Sequence, residues 1–347
     1  IDDGYDSLPR FWDQVGVLFR NGDAKELTAD PYLALGAVPP LTAGFRDLSP
    51  LQHRLPVFDP TRCTGCGSCW SNCPDGAIGA SILPPRKILE PVIREIGATA
   101  VQPLVGKLAA GIAASAGDRE NHGFAAGDLV SEIFASLAEK LPFPEERRIT
   151  ITTAMEGLIE RLGSLPLAVT APFFAEPERE QPGNGELLVL TIDPLACKGC
   201  GICSQTCPAA AMEAAQRTPD AVATARQLRS TWELLPASAP ATVARAEEHP
   251  EVVAMAAPLL SRTGVPVLGS GDGGEPGSGA RLALRMTLAT MEAQQISVFA
   301  EFLAQVQTVQ QQITALIRES LADALPADDL DALARGLKHT DSRQADL

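Results

Sequence analysis

The sequence predicts an α+β chain, and three observations predict it. A unit of short apolar strand, Asp-Pro turn and cysteine-rich loop occurs twice, from Val57 to Ile78 and from Thr191 to Met212. The copies keep a constant offset of 134 residues (Cys63 to Cys197), so neither carries an insertion relative to the other. Between and after them, apolar residues recur at helical spacing. A unit of ~25 residues cannot bury its apolar face alone, so the two are expected to pack as a pseudo-twofold pair.

The elements follow in order. Residues 1–50 hold a helix from Leu8 to Phe19 and then Pro-rich extended chain, an arm or linker. Residues 51–81 are the first repeat, in which Pro74, after the last cysteine, is expected to start a short helix. Residues 82–185 read as a helical insertion, with Ile88, Val92, Ile96, then Leu129, Ile133, Leu137, then Ala154, Leu158, Leu162 on helix faces. Asp128 is placed to cap the second of these. The apolar stretch Gly97 to Gly117 is broken by Gln102, Pro103 and Lys107, so it reads as a buried or partner-facing helix rather than a bilayer span. A loop from Pro177 to Gly185 leads into a strand from Leu187 to Ile192. Residues 186–215 are the second repeat, where Pro208 plays the part of Pro74. Residues 216–268 read as a linker with one or two short helices and a strand from Val265 to Leu268. Residues 269–347 begin with a Gly-rich turn, Gly269 to Gly279. Ala280 to Leu325 then lacks breakers and carries the stripe Phe299, Leu303, Val306, Val309, Ile313 and Leu316, a long helix or hairpin. Leu330 to Leu337 is a last short helix.

All eight cysteines lie in two runs of Cys-x-x-Cys-x-x-Cys-x-x-x-Cys-Pro: Cys63, Cys66, Cys69, Cys73 and Cys197, Cys200, Cys203, Cys207. Two-residue gaps let a tight loop set three sulfurs at neighbouring corners of a small cube, with backbone N–H groups turned inward. The fourth corner must come from elsewhere. This is the spacing of [4Fe-4S] ligands, and in the two-cluster ferredoxin arrangement the last Cys of each run serves the other cluster. Cys63, Cys66, Cys69 and Cys207 are therefore expected to hold one cluster, and Cys197, Cys200, Cys203 and Cys73 the other. The fold class sharpens to a bicluster ferredoxin-like domain with a large helical insertion and flanking helical segments. Paired zinc knuckles would be separated C-x₂-C pairs rather than three consecutive short gaps, and disulfides do not suit such runs in a chain without a secretory signal.

Other residues should shape these sites. Gly65, Gly67, Gly199 and Gly201 fit loops where a side chain would collide with sulfide. Ile78, Ile202 and Met212 are expected wall residues. Trp70 either shields a cluster, belongs to a docking surface or is ordinary packing. Asp59 and Asp75 put negative charge nearby, which points to a low potential.

Charge bounds the partners. The 347 residues carry a formal net charge of −15. Nucleic acid and anionic membranes attract basic patches, so neither is an expected partner. The sequence shows no signal peptide, which makes the cytoplasm the default compartment. It opens on Ile rather than Met, as a processed chain or a section of a longer polypeptide would. No catalytic residue is evident. His53, His122, His249 and His339 are scattered, the acidic pairs Glu145-Glu146 and Glu247-Glu248 read as solvated faces, and no cysteine lies outside the runs.

More of the chain resembles a family. The spacing of the runs, the leading Tyr5-Asp6-Ser7-Leu8-Pro9-Arg10-Phe11-Trp12-Asp13-Gln14 and the trailing Gly271-Asp272-Gly273-Gly274-Glu275-Pro276-Gly277-Ser278-Gly279 resemble the pyruvate/2-oxoacid:ferredoxin (flavodoxin) oxidoreductases. There a domain with two such runs precedes a thiamine-diphosphate domain, which opens with a Gly-rich turn and a helix. The resemblance implies thiamine diphosphate and Mg elsewhere in the complex, catalytic 2-oxoacid oxidoreductase domains or subunits as partners in a larger oligomer, and ferredoxin or flavodoxin as acceptor. Two departures stand out. The family's turn carries two cysteines for a third cluster, and here those positions are Glu275 and Ser278. The insertion is also longer than the usual gap between runs. No Asn-rich magnesium site follows around Ser297 to Gln305, so this chain itself is not expected to hold thiamine diphosphate. The rival readings are a relay subunit of a hydrogenase, formate dehydrogenase or flavin-linked reductase, and a structural or redox-sensing cluster protein.

Overall fold

A computed structural model describes residues 7–36, 39, 52–118, 123–140, 145–261 and 275–324. The chain divides into two units, Ile1–Glu292 and Ala293–Leu347. The arm begins with α1 (Leu8–Phe11), whose N-cap Ser7 accepts from the Arg10 N–H, and passes through a wide turn, Trp12–Gly16, into α2 (Val17–Asn21). The arm is not wholly extended beyond it. Asp30 caps α3 (Pro31–Leu35) by accepting the Tyr32 N–H at 2.9 Å, and it pairs with Arg10 at 2.6 Å.

The first repeat comprises β1 (Arg54–Phe58), the single-turn α4 (Ser68–Ser71) and β2 (Ile78–Leu83). No helix follows Pro74. Gly76, at φ 60°, turns the chain left-handed, and the apolar residues after it pair as a strand. The short helix instead lies between the second and fourth cysteines.

The insertion contains α5 (Pro85–Glu95), α6 (Val105–Asp118), β3 (Gly123–Ala125), α7 (Ala126–Lys140), α8 (Glu145–Leu162), β4 (Pro166–Ala168) and α9 (Glu176–Glu180). The expected apolar faces are present, but the insertion is not purely helical: β3 and β4 join the sheet. Asp128 lies within the first turn of α7 rather than at its cap, because the helix starts at Ala126. The Gly97–Gly117 stretch is a 3₁₀ turn followed by α6, which buries Val105, Leu108, Ile112 and Ala116. Among the described residues no helix is long and apolar enough to cross a membrane.

The second repeat, β5 (Leu187–Ile192), α10 (Ile202–Gln205) and β6 (Met212–Gln216), repeats the first at the expected offset. The repeats exchange strands. β1 pairs antiparallel with β6, Phe58 opposite Met212, and β2 pairs antiparallel with β5, Ile78 opposite Ile192. Those two registers are images of each other under the offset. The larger sheet runs β2-β5-β4-β3.

That sheet separates two cores, as period-2 alternation requires. Leu188, Leu190 and Ile192 face the cysteine loops together with Ile78, Ala80 and Ile82. Leu187 and Val189 face the insertion helices, beside Leu83 and Leu167. A strand buried on both faces reads as a continuous apolar run, which explains Leu187–Ile192. Sharing this sheet makes the insertion a structural extension of the repeats.

Residues 216–261 are also more than a linker. α11 (Pro219–Leu234) places Trp232 in the insertion core, and α12 (Pro240–Glu248) is tied to the start of β5 by Thr242 and Arg245, both bonded to the buried Glu186. The expected strand from Val265 to Leu268 and the helix from Leu330 to Leu337 lie outside the described residues. Ala280 onward is one helix, α13 (Gly279–Ala324), capped by Ser278, whose Oγ accepts the Arg281 N–H at 3.4 Å. Met286 and Ala289 belong to the cysteine-side core. In the second unit Phe299, Phe302, Leu303, Val306, Val309, Ile313 and Leu316 are exposed.

Candidate iron–sulfur sites

Each cysteine loop is shaped by local turn chemistry used twice. The Asp59 carboxylate accepts the Thr61 N–H at 2.9 Å, and Asp193 accepts the Leu195 N–H at 2.8 Å. The Asp59 N–H donates to the Ala211 carbonyl at 2.8 Å and the Asp193 N–H to Ala77 at 2.7 Å, which locks each loop to the other repeat. Gly67 and Gly201 both sit at φ 80°, where an L-residue is strained, and each opens the short helix carrying the third cysteine. At Gly65, Gly67 and Gly199 protein atoms crowd the loop, whereas nothing lies within 4 Å of a Cβ on Gly201. A Cβ on Gly65 would meet Thr170 at 3.0 Å, one on Gly199 would meet the Arg54 carbonyl at 2.8 Å, and one on Gly67 would run into Ala256.

The eight sulfurs line two hollows. One is lined by Cys63, Cys66 and Cys69 of the first run and Cys207 of the second, with Phe58, Trp70 and Met212. The other is lined by Cys197, Cys200 and Cys203 with Cys73 of the first run, and by Ile78, Ile202, Lys198 and Asp75. The expected wall residues thus lie in the walls. The Ala77 N–H donates to Cys73 Sγ at 3.3 Å and the Ala211 N–H to Cys207 Sγ at 3.2 Å, the inward amides that a thiolate ligand accepts. Trp70 is 1% exposed and donates its Nε1–H to the Ala256 carbonyl at 3.2 Å, so it is at once a wall and a packing residue.

Electrostatics test whether a cluster fits. Burial pushes the Cys63 thiol up to about 12, with the neighbouring Cys66 and Cys207 opposing its ionisation further. Burial likewise raises Cys197 to about 12 and Cys203 to about 11, with Cys73 among the opposing neighbours of both. Cys69 is raised well above its ordinary value for the same reason. Burial also raises Cys73, although Arg285 and the amides of Ala77 and Asp75 pull it down. Neighbouring thiols raised in this way, Cys63 with Cys69 and Cys197 with Cys203, ionise together only around strong positive charge, which iron supplies. Among the described residues no group of three or more His, Cys, Asp or Glu closes on a single-ion position. One zinc with bonds of about 2.3 Å would need the sulfurs to converge on a single point. The residues fit a [4Fe-4S] cluster.

Several site residues carry no local signal in the sequence. Lys198 Nζ pairs with Asp75 at 3.3 Å, and Arg281 NH1 pairs with the same carboxylate at 2.6 Å. Asp75 therefore does not present the bare negative charge that the sequence led one to expect. Arg285, 2% exposed, donates to the carbonyls of Trp70 and Cys73, each at 3.0 Å. Of the other flagged groups, His249 pairs with Glu176 at 3.0 Å and His53 is exposed, whereas His122 and His339 lie outside the described residues.

Comparison with known proteins agrees on the class. The family model described as "4Fe-4S binding domain" matches residues 56–79 and again 190–213, the two repeats. The two matches support iron–sulfur binding in both repeats, with an electron-transfer role. No curated protein and no solved structure matches it.

Proposed function

We propose that this chain is the electron-transfer section of a 2-oxoacid:ferredoxin or flavodoxin oxidoreductase. It holds two [4Fe-4S] clusters by crossed ligation, Cys63, Cys66, Cys69 and Cys207 around one, Cys197, Cys200, Cys203 and Cys73 around the other. The observation that carries the ligand assignment is the lining of the two hollows, three cysteines from one run and the fourth from the other. Bound clusters supply one-electron storage and transfer. The chain's own residues hold and orient them: the Ala77 and Ala211 amides donate to Cys73 and Cys207, while Trp70, Phe58, Met212, Ile78 and Ile202 line the hollows and keep water out. Crossed ligation also makes the strand exchange obligatory, since neither site is complete until both repeats have docked. Changing Cys207 to Ser should remove the spectroscopic signature of the site built on Cys63, Cys66 and Cys69 and spare the other. Loss of the other signature alone would refute the assignment.

The 2-oxoacid reading rests on the flanking resemblance, and the start of α13 at Gly279, where the Gly-rich stretch of sequence ends, supports it. In this reading thiamine diphosphate, Mg and the substrate chemistry belong to other domains or subunits of a cytoplasmic complex, and electrons leave through the two repeats to ferredoxin or flavodoxin. Purified complex should contain thiamine diphosphate and reduce a viologen dye only when a 2-oxoacid and coenzyme A are supplied. A complex without thiamine diphosphate, or one bringing nickel, molybdenum or flavin instead, would refute the assignment and make the chain a relay of another redox enzyme.

A further inference from the structure

The pseudo-twofold that relates the repeats allows the two sites to be compared position by position. Lys198, beside Cys197, corresponds to Thr64 beside Cys63, and Asp75, after Cys73, corresponds to Ala209 after Cys207. Thr64 and Ala209 line the first hollow, whose described lining carries no charged side chain. Lys198 and Asp75 line the second, as does Arg54 at the start of β1. The second site also has a neighbour with no counterpart at the first. The opening turns of α13 bring Arg281 to Asp75 at 2.6 Å and Arg285 to the carbonyls of Trp70 and Cys73 at 3.0 Å. Gly277, in the turn before α13, lies close enough to the second site that a Cβ placed on it would meet Ile202 at 3.4 Å and Cys200 at 3.5 Å.

Counted together, Lys198, Arg281 and Arg285 oppose the single carboxylate of Asp75. Lys198 and Asp75 are almost wholly buried, as is Arg285, so water screens their fields little. A buried guanidinium that has lost its hydration stays only if something negative or dipolar compensates it. Here the compensation comes from backbone carbonyls at the end of α4 and from the Cys73 side of the second site. This cationic cluster lies in a chain whose overall charge is −15, so it is a local construction and not a reflection of composition.

We infer that Arg281 and Arg285 are potential-setting positioning residues that make the Cys73/Cys197/Cys200/Cys203 site the easier of the two to reduce. This rests on the crossed [4Fe-4S] ligation proposed above. Reduction adds one negative charge to a cluster. A fixed positive charge beside the ligands favours that state, whereas the uncharged walls of the other site do not. The chain would then hold an uneven pair, in which a single electron rests on the side that α13 covers.

The test is a potentiometric titration of the full, iron-loaded chain, followed by electron paramagnetic resonance, with iron content measured in parallel. The unmodified chain should show two one-electron steps. Arg285→Met should move the higher-potential step to lower potential and leave the lower step in place. At a fixed poise the ratio of reduced to oxidised forms of that site should fall roughly tenfold, the order expected for one charge about 10 Å away at an effective dielectric constant of ~20. Arg281→Gln should give a smaller shift in the same direction, since Lys198 still faces Asp75, and Arg285→Lys should retain most of the original potential. If the variants keep full iron and neither step moves, or only the lower step moves, the inference fails. Should Arg285→Met lose iron, Arg281→Gln decides by the same criterion. An unmodified chain unable to hold the iron of two clusters would refute the underlying ligation instead, a result separable from a pair of unmoved steps.

Discussion

The two repeats are alike inside and unlike outside. Their loops share turn bonds, φ angles and inward amides under one constant offset, yet the chain packed around them differs, most plainly at the strand that follows the cysteines. All six residues of β2 are buried, whereas β6 buries Met212 and exposes Glu213, Ala214 and Gln216. The insertion presses Thr170 and Phe173 against Gly65, and the segment after α12 lays Ala256 against Gly67 and Trp70. At the second site that backing comes from the turn before α13. Ligand geometry is thus fixed by short-range sequence in both copies, while the environment of each cluster is set by chain far away. Duplicating the unit duplicated the first and left the second free to diverge.

The sharpest way to break this comparison is to empty the backing of the first site. Trp70→Ala removes a fully buried indole and its bond to the Ala256 carbonyl, and should cost about 3–5 kcal/mol. The corresponding change in the second repeat, Ser204→Ala, removes little volume and should cost less than about 1 kcal/mol. Denaturant midpoints of the iron-loaded variants under anaerobic conditions read the difference. Equal costs would mean that the segment around Ala256 adds nothing to the first site.

Why some of this was legible and some was not follows from the range of each interaction. The cysteine spacing, the glycines in the loops, the long breaker-free helix and the strand Leu187–Ile192 are written in adjacent residues, and they stand where the spacing put them. The strands β3 and β4 have three residues each, too few for any period to register; β4 pairs with the edge that β5 offers, and β3 pairs with β4. Pro74 is a valid first-turn signal for a helix, but strand pairing with a segment more than a hundred residues away overrides it. The same holds for charge. Asp75 reads as an anion until Arg281, 206 residues further on, is brought against it.

A milder probe uses the paired glycines. Gly67 and Gly201 share φ 80°, so an alanine at either carries the same left-handed strain of about 1–2 kcal/mol. Only at Gly67 would the new methyl also meet Ala256 and, at 2.9 Å, Trp70; protein atoms leave Gly201 open. Gly67→Ala should therefore lower stability by an additional 1–3 kcal/mol or so, the usual cost of overpacking. Equal losses at the two positions, measured as denaturant midpoints of loaded protein, would show that the bound cluster itself fills the space beside Gly201.

The smallest expected effect isolates the backbone alone. After the fourth cysteine each repeat turns left-handed, at φ 60° on Gly76 and φ 50° on Ala210, with the same turn bond back to the cysteine carbonyl at 3.3 and 3.2 Å. Ala210 is the one described non-glycine residue with positive φ. Its methyl is exposed, so replacing it removes no packing. Two terms then compete in Ala210→Gly. Relief of the left-handed strain stabilises by about 1–2 kcal/mol, and the added freedom of glycine in the unfolded chain takes back roughly 0.5–1 kcal/mol. The sum is a gain of somewhat under 1 kcal/mol, seen as a small rise in the denaturant midpoint with both cluster signatures unchanged. Gly76→Ala reverses both terms and places a methyl at a buried turn, so its loss should be at least as large as that gain. A destabilised Ala210→Gly would mean that the second turn is not held left-handed in the loaded protein, and that the backbone symmetry of the two repeats stops at their last cysteines.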